Sequence, residues 1–188
     1  QQVLEQLPNC TVMMGVPTYY TRLLASDEFD RTLTSRMRLF ISGSAPLLAD
    51  TFEQFLDRTG QSILERYGMT ETNMNTSNPL VGERRAGTVG LPLPGVEVRV
   101  VNAEGAPVHG GVIGDIQVRG NNVFKGYWRM PEKTAEDLGD DGFFTTGDKG
   151  ILCESGYVSI VGRAKDMVIS GGLNVYPKEV ELVIDSLD

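Results

Sequence analysis

Two spacings of apolar positions alternate along the first third of the chain. The runs "TVMMGVP" (11–17) and "MRLFISGSAP" (37–46) set apolar residues side by side and end at Gly or Pro, the pattern of short buried strands. Around them apolar residues recur at helical intervals. The clearest case begins at Pro46, puts Leu47, Leu48, Phe52, Phe55 and Leu56 on one side, and stops at Gly60. Buried strands alternating with helices predict a mainly parallel sheet. From Gly90 the texture changes: "VEVRVV" and "DIQVRG" alternate apolar with charged residues, and "NAEGAP" and "HGGVIG" separate them. That pattern predicts antiparallel strands with one wet face, in a small β-subdomain over about 90–160. After "VGRAKD" the pattern turns to a strand, an "SGGLN" loop and a helix opened by Pro177.

With 188 residues and 40% apolar content, the chain can bury a sizeable core. Its formal charge of −8 and pI near 4.7 argue against a nucleic-acid polymer as partner, because such binding rests on clustered Lys and Arg. A small anion held by a few local donors is compatible with that charge. Cys10 and Cys153 lie far apart with no CxxC or His-rich context, so neither a disulfide framework nor a structural zinc is expected. No stretch approaches the roughly 18 apolar residues of a membrane span, and the first residues lack the order of a signal peptide. The expected compartment is the cytoplasm. The chain starts at Gln1 and stops at Asp188 inside amphipathic segments, and is read as a piece of a longer protein.

Three stretches put small residues and hydroxyls at expected strand ends, where backbone can come close to a ligand. "SGSAP" (42–46) lies between an expected strand and a helix N-terminus, a place where N–H groups and the helix dipole favour flat polar or anionic ligands. A plain strand-to-helix turn would use the same residues. "ERYGMTETNMNTSNP" (65–79) sets an aromatic, a glycine and a polar cluster together. Tyr67 offers a flat face to a base, Gly68 permits a sharp turn, Thr70 can donate to a phosphate oxygen, and Glu71 can hold Mg²⁺. The alternative is a capping turn with Thr70 or Thr72 as N-cap, which leaves Tyr67 and Glu71 without a task. In "TTGDKG" (145–150), Asp148 is suited to accept hydrogen bonds from ribose hydroxyls, although a GD pair also fits an ordinary surface turn.

Taken in order, "ISGSAPL", "YGMTETN", "GDIQVRG", "GYW" with "PEKT", "FFTTGDKG" and "IVGRAKDMVISGGLNVYPKEVE" resemble the successive motifs of the adenylate-forming superfamily of acyl-CoA synthetases, peptide-synthetase adenylation domains and luciferases. The resemblance covers essentially the whole chain. Within the superfamily, "VPTYYTRLL", "GMTETNMNTSNPL" and "GERRAGTVG" look most like malonyl-CoA synthetases. The resemblance implies a partial adenylate-forming α/β fold. Residues 1–90 would be part of a large N-terminal α/β subdomain, 91–162 its β-subdomain, and 163–188 a hinge and the start of a truncated α+β C-terminal domain.

It also implies ATP, Mg²⁺, coenzyme A and a small carboxylic acid, malonate or methylmalonate, as cofactors and substrates of an acid–thiol ligase. Tyr67 would stack on the adenine, with Ser44 and Ala45 on the other side and Gly68 beside it. Thr70 would touch phosphate, Glu71 would bind Mg²⁺, Asp148 would hold the ribose hydroxyls and Arg163 would approach ribose and phosphate. Lys165 would be the pivot of a rotating C-terminal domain, and Gly172 would line the pantetheine tunnel, where any Cβ would narrow the path. Arg84, helped by Ser42, would bind the second carboxylate of malonate, and Met69 could line the acyl pocket. The family's phosphate loop is expected upstream of Gln1 and its adenylation lysine downstream of Asp188, so the piece alone is expected to be inactive. A ligase for fatty, aromatic or amino acids, or a nucleotide-binding module that has lost catalysis, remain open. His109 reads as a surface residue, Trp128 as packing, and Met13, Met14, Met37 and, as the alternative to its pocket role, Met69 as core filler.

Overall fold

Three parallel strands organise the first part of the chain. The computed structural model describes residues 2–170, 173–185 and 187. Helix α1 (Gln2–Gln6) leads to strand β1 (Val12–Gly15), helix α2 (Pro17–Leu24), β2 (Leu39–Ser42), helix α3 (Ala49–Thr59) and β3 (Leu64–Met69). β1 pairs with β2 from Val12↔Leu39 to Gly15↔Ser42, and β2 pairs with β3 through Ile41↔Leu64 and Ser42↔Glu65, all parallel as the strand–helix alternation predicts. Aromatic residues of α2, of β2 and of the segment between them meet at Phe55 of α3, whose ring lies 4.8 Å from Phe40 and 5.5 Å from both Tyr20 and Phe29. The buried Tyr20 hydroxyl is satisfied by donating to the Ile41 carbonyl at 2.6 Å, which ties α2 to β2.

Two features differ from the sequence expectation. β1 is not a buried strand: Val12 and Met14 are 41% and 63% exposed, while Met13 packs against the core. A run of consecutive apolar residues does not reveal how many faces of a strand will be covered. The helix expected from Pro46 starts only at Ala49, with Leu48 still extended. The segment ahead of the helix is anchored at long range, the buried Glu65 carboxylate accepting the Leu47 N–H at 2.9 Å. The predicted stop at Gly60 is observed, with a left-handed φ of 73°.

The chain forms two units, Gln1–Gly68 with Ser77–Gly90, and Met69–Thr76 with Leu91–Asp188. In the first, the buried Asn78 donates to the carbonyls of Glu65 and Thr88 and accepts from the Arg85 N–H. The second contains β4 (Asn73–Ser77) over most of its length, β5 (Leu91–Pro92), β6 (Val96–Val101), β7 (Pro107–Val108), β8 (Gly114–Gly120), helix α4 (Pro131–Asp137), β9 (Phe144–Leu152), β10 (Val158–Arg163), β11 (Val168–Ser170), β12 (Leu173–Val175) and helix α5 (Pro177–Asp185). Residues 69–76 belong to it because Asn122, Phe124 and Leu93 donate hydrogen bonds to the carbonyls of Thr72, Glu71 and Asn75.

The five-stranded sheet of this unit runs β10-β9-β8-β6-β7 and is antiparallel throughout. The expected division into two faces is present. Val100, Ile116, Val118, Phe144 and Val158 are buried, whereas Arg99 and Arg119 flank the Phe143 ring at 3.7 and 4.4 Å and pair with Asp141 and Glu97. Trp128, expected to pack, is instead 85% exposed, with the Arg129 guanidinium 5.6 Å from its ring. Of the methionines read as filler, Met37 is buried and Met14 is not. Both cysteines are free thiols. Among the described residues no helix is long and apolar enough to cross a membrane.

Candidate functional site

In the first unit the candidate residues gather at the C-terminal ends of β2 and β3. Ser42 closes β2 fully buried, and its Oγ has no hydrogen-bond partner among the described residues. A buried hydroxyl left in that condition costs about 1–3 kcal/mol, so a ligand or solvent oxygen that satisfied it would be favoured. Ser44 follows with a left-handed φ of 69°, and both it and Ala45 are exposed. An L residue pays about 1–2 kcal/mol for that conformation, a strain of the kind that gathers at ligand-binding turns. Tyr67 and Gly68 lie inside β3, half-buried, where the sequence pointed to a loop.

Arg84 is half-buried on the segment that follows. Its Nε donates to the Pro79 carbonyl at 3.1 Å, Nη1 to Ser62 at 2.6 Å and Nη2 to Leu80 at 3.2 Å. These bonds use three of the five guanidinium N–H groups. Burial lowers its pKa below the ordinary arginine value, and among the described residues no carboxylate neutralises it. Its neighbour Arg85, by contrast, pairs with Glu83 at 3.0 Å.

In the second unit, Met69, Thr70, Glu71 and Thr72 form a tight turn closed by the Thr72 N–H on the Met69 carbonyl at 3.2 Å, and the chain then enters β4. No helix follows, so the N-cap reading of Thr70 and Thr72 does not apply. Thr70 is exposed, and Met69 and Glu71 are half-buried. The Glu71 carbonyl accepts from the Phe124 N–H at 2.7 Å, and its carboxylate Oε1 accepts from the Tyr127 hydroxyl at 3.2 Å. The Tyr127 pKa is pushed up to about 12, first by lost hydration and then by the negative charges of Glu71 and Asp137, so this hydroxyl keeps its proton and remains a donor.

Asp148 sits within β9, buried, rather than in a surface turn. The "TTGD" spelling has a local explanation. β8 and β9 shift register between Asp115 and Gln117, and Gly147 takes up the left-handed φ of 74° that this irregularity requires. The Thr146 hydroxyl donates to the Ile116 carbonyl at 2.9 Å and accepts the Asp148 N–H at 3.1 Å, which fixes the acid. Arg163, opposite it on β10, brings Nε to 2.9 Å of its Oδ1, so two candidate residues expected at the same ligand are in direct contact. Lys165 is exposed in the short 3-10 turn after β10. Gly172 lies outside the described residues.

Sequence reasoning gave no role to Asn75, Asn122, Tyr127 or Thr146. Asn122 Nδ2 reaches the Thr72 carbonyl at 2.7 Å and Asn75 Oδ1 at 3.2 Å, while Thr72 Oγ1, Asn75 Nδ2 and Asn122 Oδ1 are buried with no partner among the described residues. The available signal was the Tyr in "GYW"; the pair Asn121-Asn122 reads only as a turn. Among the described residues no group of three or more His, Cys, Asp or Glu could hold a metal. A lone carboxylate such as Glu71 nevertheless fits Mg²⁺, which commonly takes one or two protein carboxylates, with phosphate and water filling the remaining positions.

The fold is the partial α/β fold of adenylate-forming enzymes, and the profile of the AMP-binding enzymes matches residues 3–128. The chain belongs to the AMP-binding enzyme family. It is similar to malonate–CoA ligase of Arabidopsis thaliana, 43% identical over 180 residues that cover 91% of this chain and 29% of that protein. ATP-bound MatB from Rhodopseudomonas palustris matches with a TM-score of 0.96 at 58% identity, covering 100% of this chain and 37% of that one. A malonyl-CoA ligase ternary product complex with methylmalonyl-CoA and AMP bound matches with a TM-score of 0.76 at 45% identity, covering 96% and 39%. The chain spans about a third of the length of the curated relatives it matches.

Proposed function

We propose that the parent enzyme of this chain is an ATP-dependent ligase that joins malonate, or methylmalonate, to coenzyme A. A carboxylate oxygen of the acid attacks the α-phosphorus of ATP, and the bond to pyrophosphate breaks. The coenzyme A thiol, losing its proton, then attacks the acyl carbon of the acyl-adenylate, and AMP leaves. The observation that carries this reading is the 58% identity to ATP-bound MatB together with its TM-score of 0.96. Arg84 adds support for a dicarboxylate, because a half-buried guanidinium that no carboxylate neutralises among the described residues favours an anion.

Tyr67 presents its ring to the adenine, with Ser44 and Ala45 on the far side and Gly68 leaving room for the base. Thr70 donates to a phosphate oxygen, and Asp148 accepts from the ribose hydroxyls, with Arg163 turning part of its charge to ribose and phosphate. Glu71 would hold Mg²⁺, which when bound offsets phosphate charge. Ser42, whose hydroxyl has no partner among the described residues, and Met69 would line the acid's pocket. Lys165 would be the pivot between the two half-reactions, and Gly172 would border the path of the thiol.

The test is pyrophosphate release and thioester formation by the complete enzyme over a panel of malonate, methylmalonate, propionate, a long-chain fatty acid and ferulate. Malonate or methylmalonate should have the highest kcat/KM, and a preference for any monocarboxylate would overturn the dicarboxylate reading. The adenine placement has its own check. Tyr67→Ala should raise KM for ATP about tenfold, the scale of one lost base–aromatic stack, with a smaller change in kcat. An unchanged KM would move the adenine elsewhere.

A further inference from the structure

We propose that Tyr127 is a positioning residue for Glu71: it holds one carboxylate oxygen by hydrogen bond and so sets the affinity of that side chain for a divalent cation. This rests on the reading of Glu71 as the Mg²⁺-binding residue. The Glu71 carboxylate has no cationic side chain as a partner among the described residues, and the Tyr127 hydroxyl at 3.2 Å is the one side-chain donor to it there. A carboxylate accepting a single hydrogen bond keeps lone pairs for a cation, whereas an arginine fork would have neutralised it. The donor therefore orients the acid without taking its charge.

Tyr127 can do this because both its backbone and its ring are fixed. Its N–H donates to Thr134 Oγ1 at 2.9 Å, and that hydroxyl donates in turn to the Met130 carbonyl at 2.9 Å, so the tyrosine is pinned to α4. Gly126, with φ of 140°, lets the chain pass against Thr134: a Cβ there would lie 2.7 Å from the threonine methyl. The Tyr127 ring packs edge-on to Phe124 at 4.8 Å, and Phe124 packs edge-on to the buried Phe144 at 5.4 Å. Phe124 also donates its N–H to the Glu71 carbonyl at 2.7 Å. One short loop thus holds Glu71 by its backbone and by its side chain.

The negative charge of Asp137 also acts on the same tyrosine hydroxyl. Lys133 Nζ binds that carboxylate at 2.9 Å and Glu136 at 3.1 Å. Asp137 thus shares a lysine, whereas Glu71 has no cationic partner among the described residues, and it is Glu71 that accepts the phenolic proton, at 3.2 Å.

The experiment is a titration of Mn²⁺, read by its electron paramagnetic resonance signal, into the complete enzyme saturated with a non-hydrolysable ATP analogue. The Mg²⁺ dependence of pyrophosphate release is measured alongside. Tyr127→Phe should raise the half-saturating Mn²⁺ about tenfold, the low end of what loss of a ligand's supporting hydrogen bond costs. The loss in kcat at saturating cation should be smaller than that shift. In a Glu71→Gln background the same change should add nothing, since the hydroxyl then has no charged oxygen to hold. Thr134→Val, which removes the acceptor of the Tyr127 N–H and leaves the hydroxyl in place, should move half-saturation in the same direction by less. This second variant keeps the proposal testable if Tyr127→Phe folds poorly.

If Tyr127→Phe and Thr134→Val leave Mn²⁺ binding unchanged while Glu71→Gln weakens it, Tyr127 does not position the acid. If Tyr127→Phe weakens binding equally in both backgrounds, the tyrosine acts elsewhere and the proposal fails. If Glu71→Gln itself leaves Mn²⁺ binding unchanged, the reading of Glu71 fails and takes the proposal with it.

Discussion

Glu71→Gln in the complete enzyme is expected to lower kcat for pyrophosphate release by at least about 10²-fold at ordinary Mg²⁺, the scale on which loss of one preorganised electrostatic element acts. Glutamine keeps the shape of the side chain and an oxygen that can accept from the Tyr127 hydroxyl, and the Phe124 N–H on the backbone carbonyl is untouched. Thermal stability should therefore change little. What disappears is the negative charge, and with it the attraction for a cation bridging to phosphate. Raising Mg²⁺ should restore part of the rate. Near-normal turnover at ordinary Mg²⁺ would remove Glu71 from the site.

The second large effect is one of specificity. Arg84→Ala is expected to lower kcat/KM for malonate by about 10²-fold or more while changing propionate little or even improving it, because only the dicarboxylate brings a second charge that needs a buried partner. The structure adds a competing role. Arg84 bonds to the carbonyls of Ser62, Pro79 and Leu80, so its removal also loosens the segment that bears it. That cost falls on every substrate alike and lowers the melting temperature, whereas loss of anion recognition shows only in the ratio of the two acids. Arg84→Lys helps to separate the two. A point charge cannot reproduce a fork spread over three carbonyls, but it keeps a cation near a carboxylate. Malonate and propionate falling together, in both variants, would make Arg84 structural and remove the main physical support for a dicarboxylate.

What could be read from the chain was whatever is local and periodic. The alternation of "VEVRVV" and "DIQVRG" led to β6 and β8 because a two-residue period with one wet face has few other solutions. Gly60 ended α3 as expected. The start of that helix was misread by three residues, and the segment ahead of it is anchored by Glu65, 18 residues away. The partner of Glu71 is 56 residues away and belongs to a tripeptide legible only as a motif. Asp148 was placed at a strand end because GD spells a turn, and only pairing with β8 and β10 shows an irregularity inside a strand. Trp128 was assigned to packing by its chemistry, while its exposure is set by neighbours that no sequence window contains. The candidate residues themselves were named from the motifs. Of their supports, Asn122 and Tyr127 bind from 50 and 56 residues away, whereas Thr146 lies two residues before Asp148, inside the motif, where its spelling did not reveal its task.

The passage of residues 69–76 into the second unit has a consequence for how the polypeptide is made. The chain crosses between units after Gly68, after Thr76 and after Gly90, so neither unit is a continuous stretch. During synthesis the turn bearing Thr70 and Glu71 leaves the ribosome well before its partners, since Asn122 follows Thr72 by 50 residues. At translation speeds of about 5–20 residues per second, the Thr72 carbonyl waits roughly 2–10 seconds for this donor. The nascent enzyme therefore passes through an interval in which the turn bearing Thr70 and Glu71 is already outside without the loop of Asn122, Phe124 and Tyr127 that holds it, and slow codons between residues 77 and 121 would lengthen it.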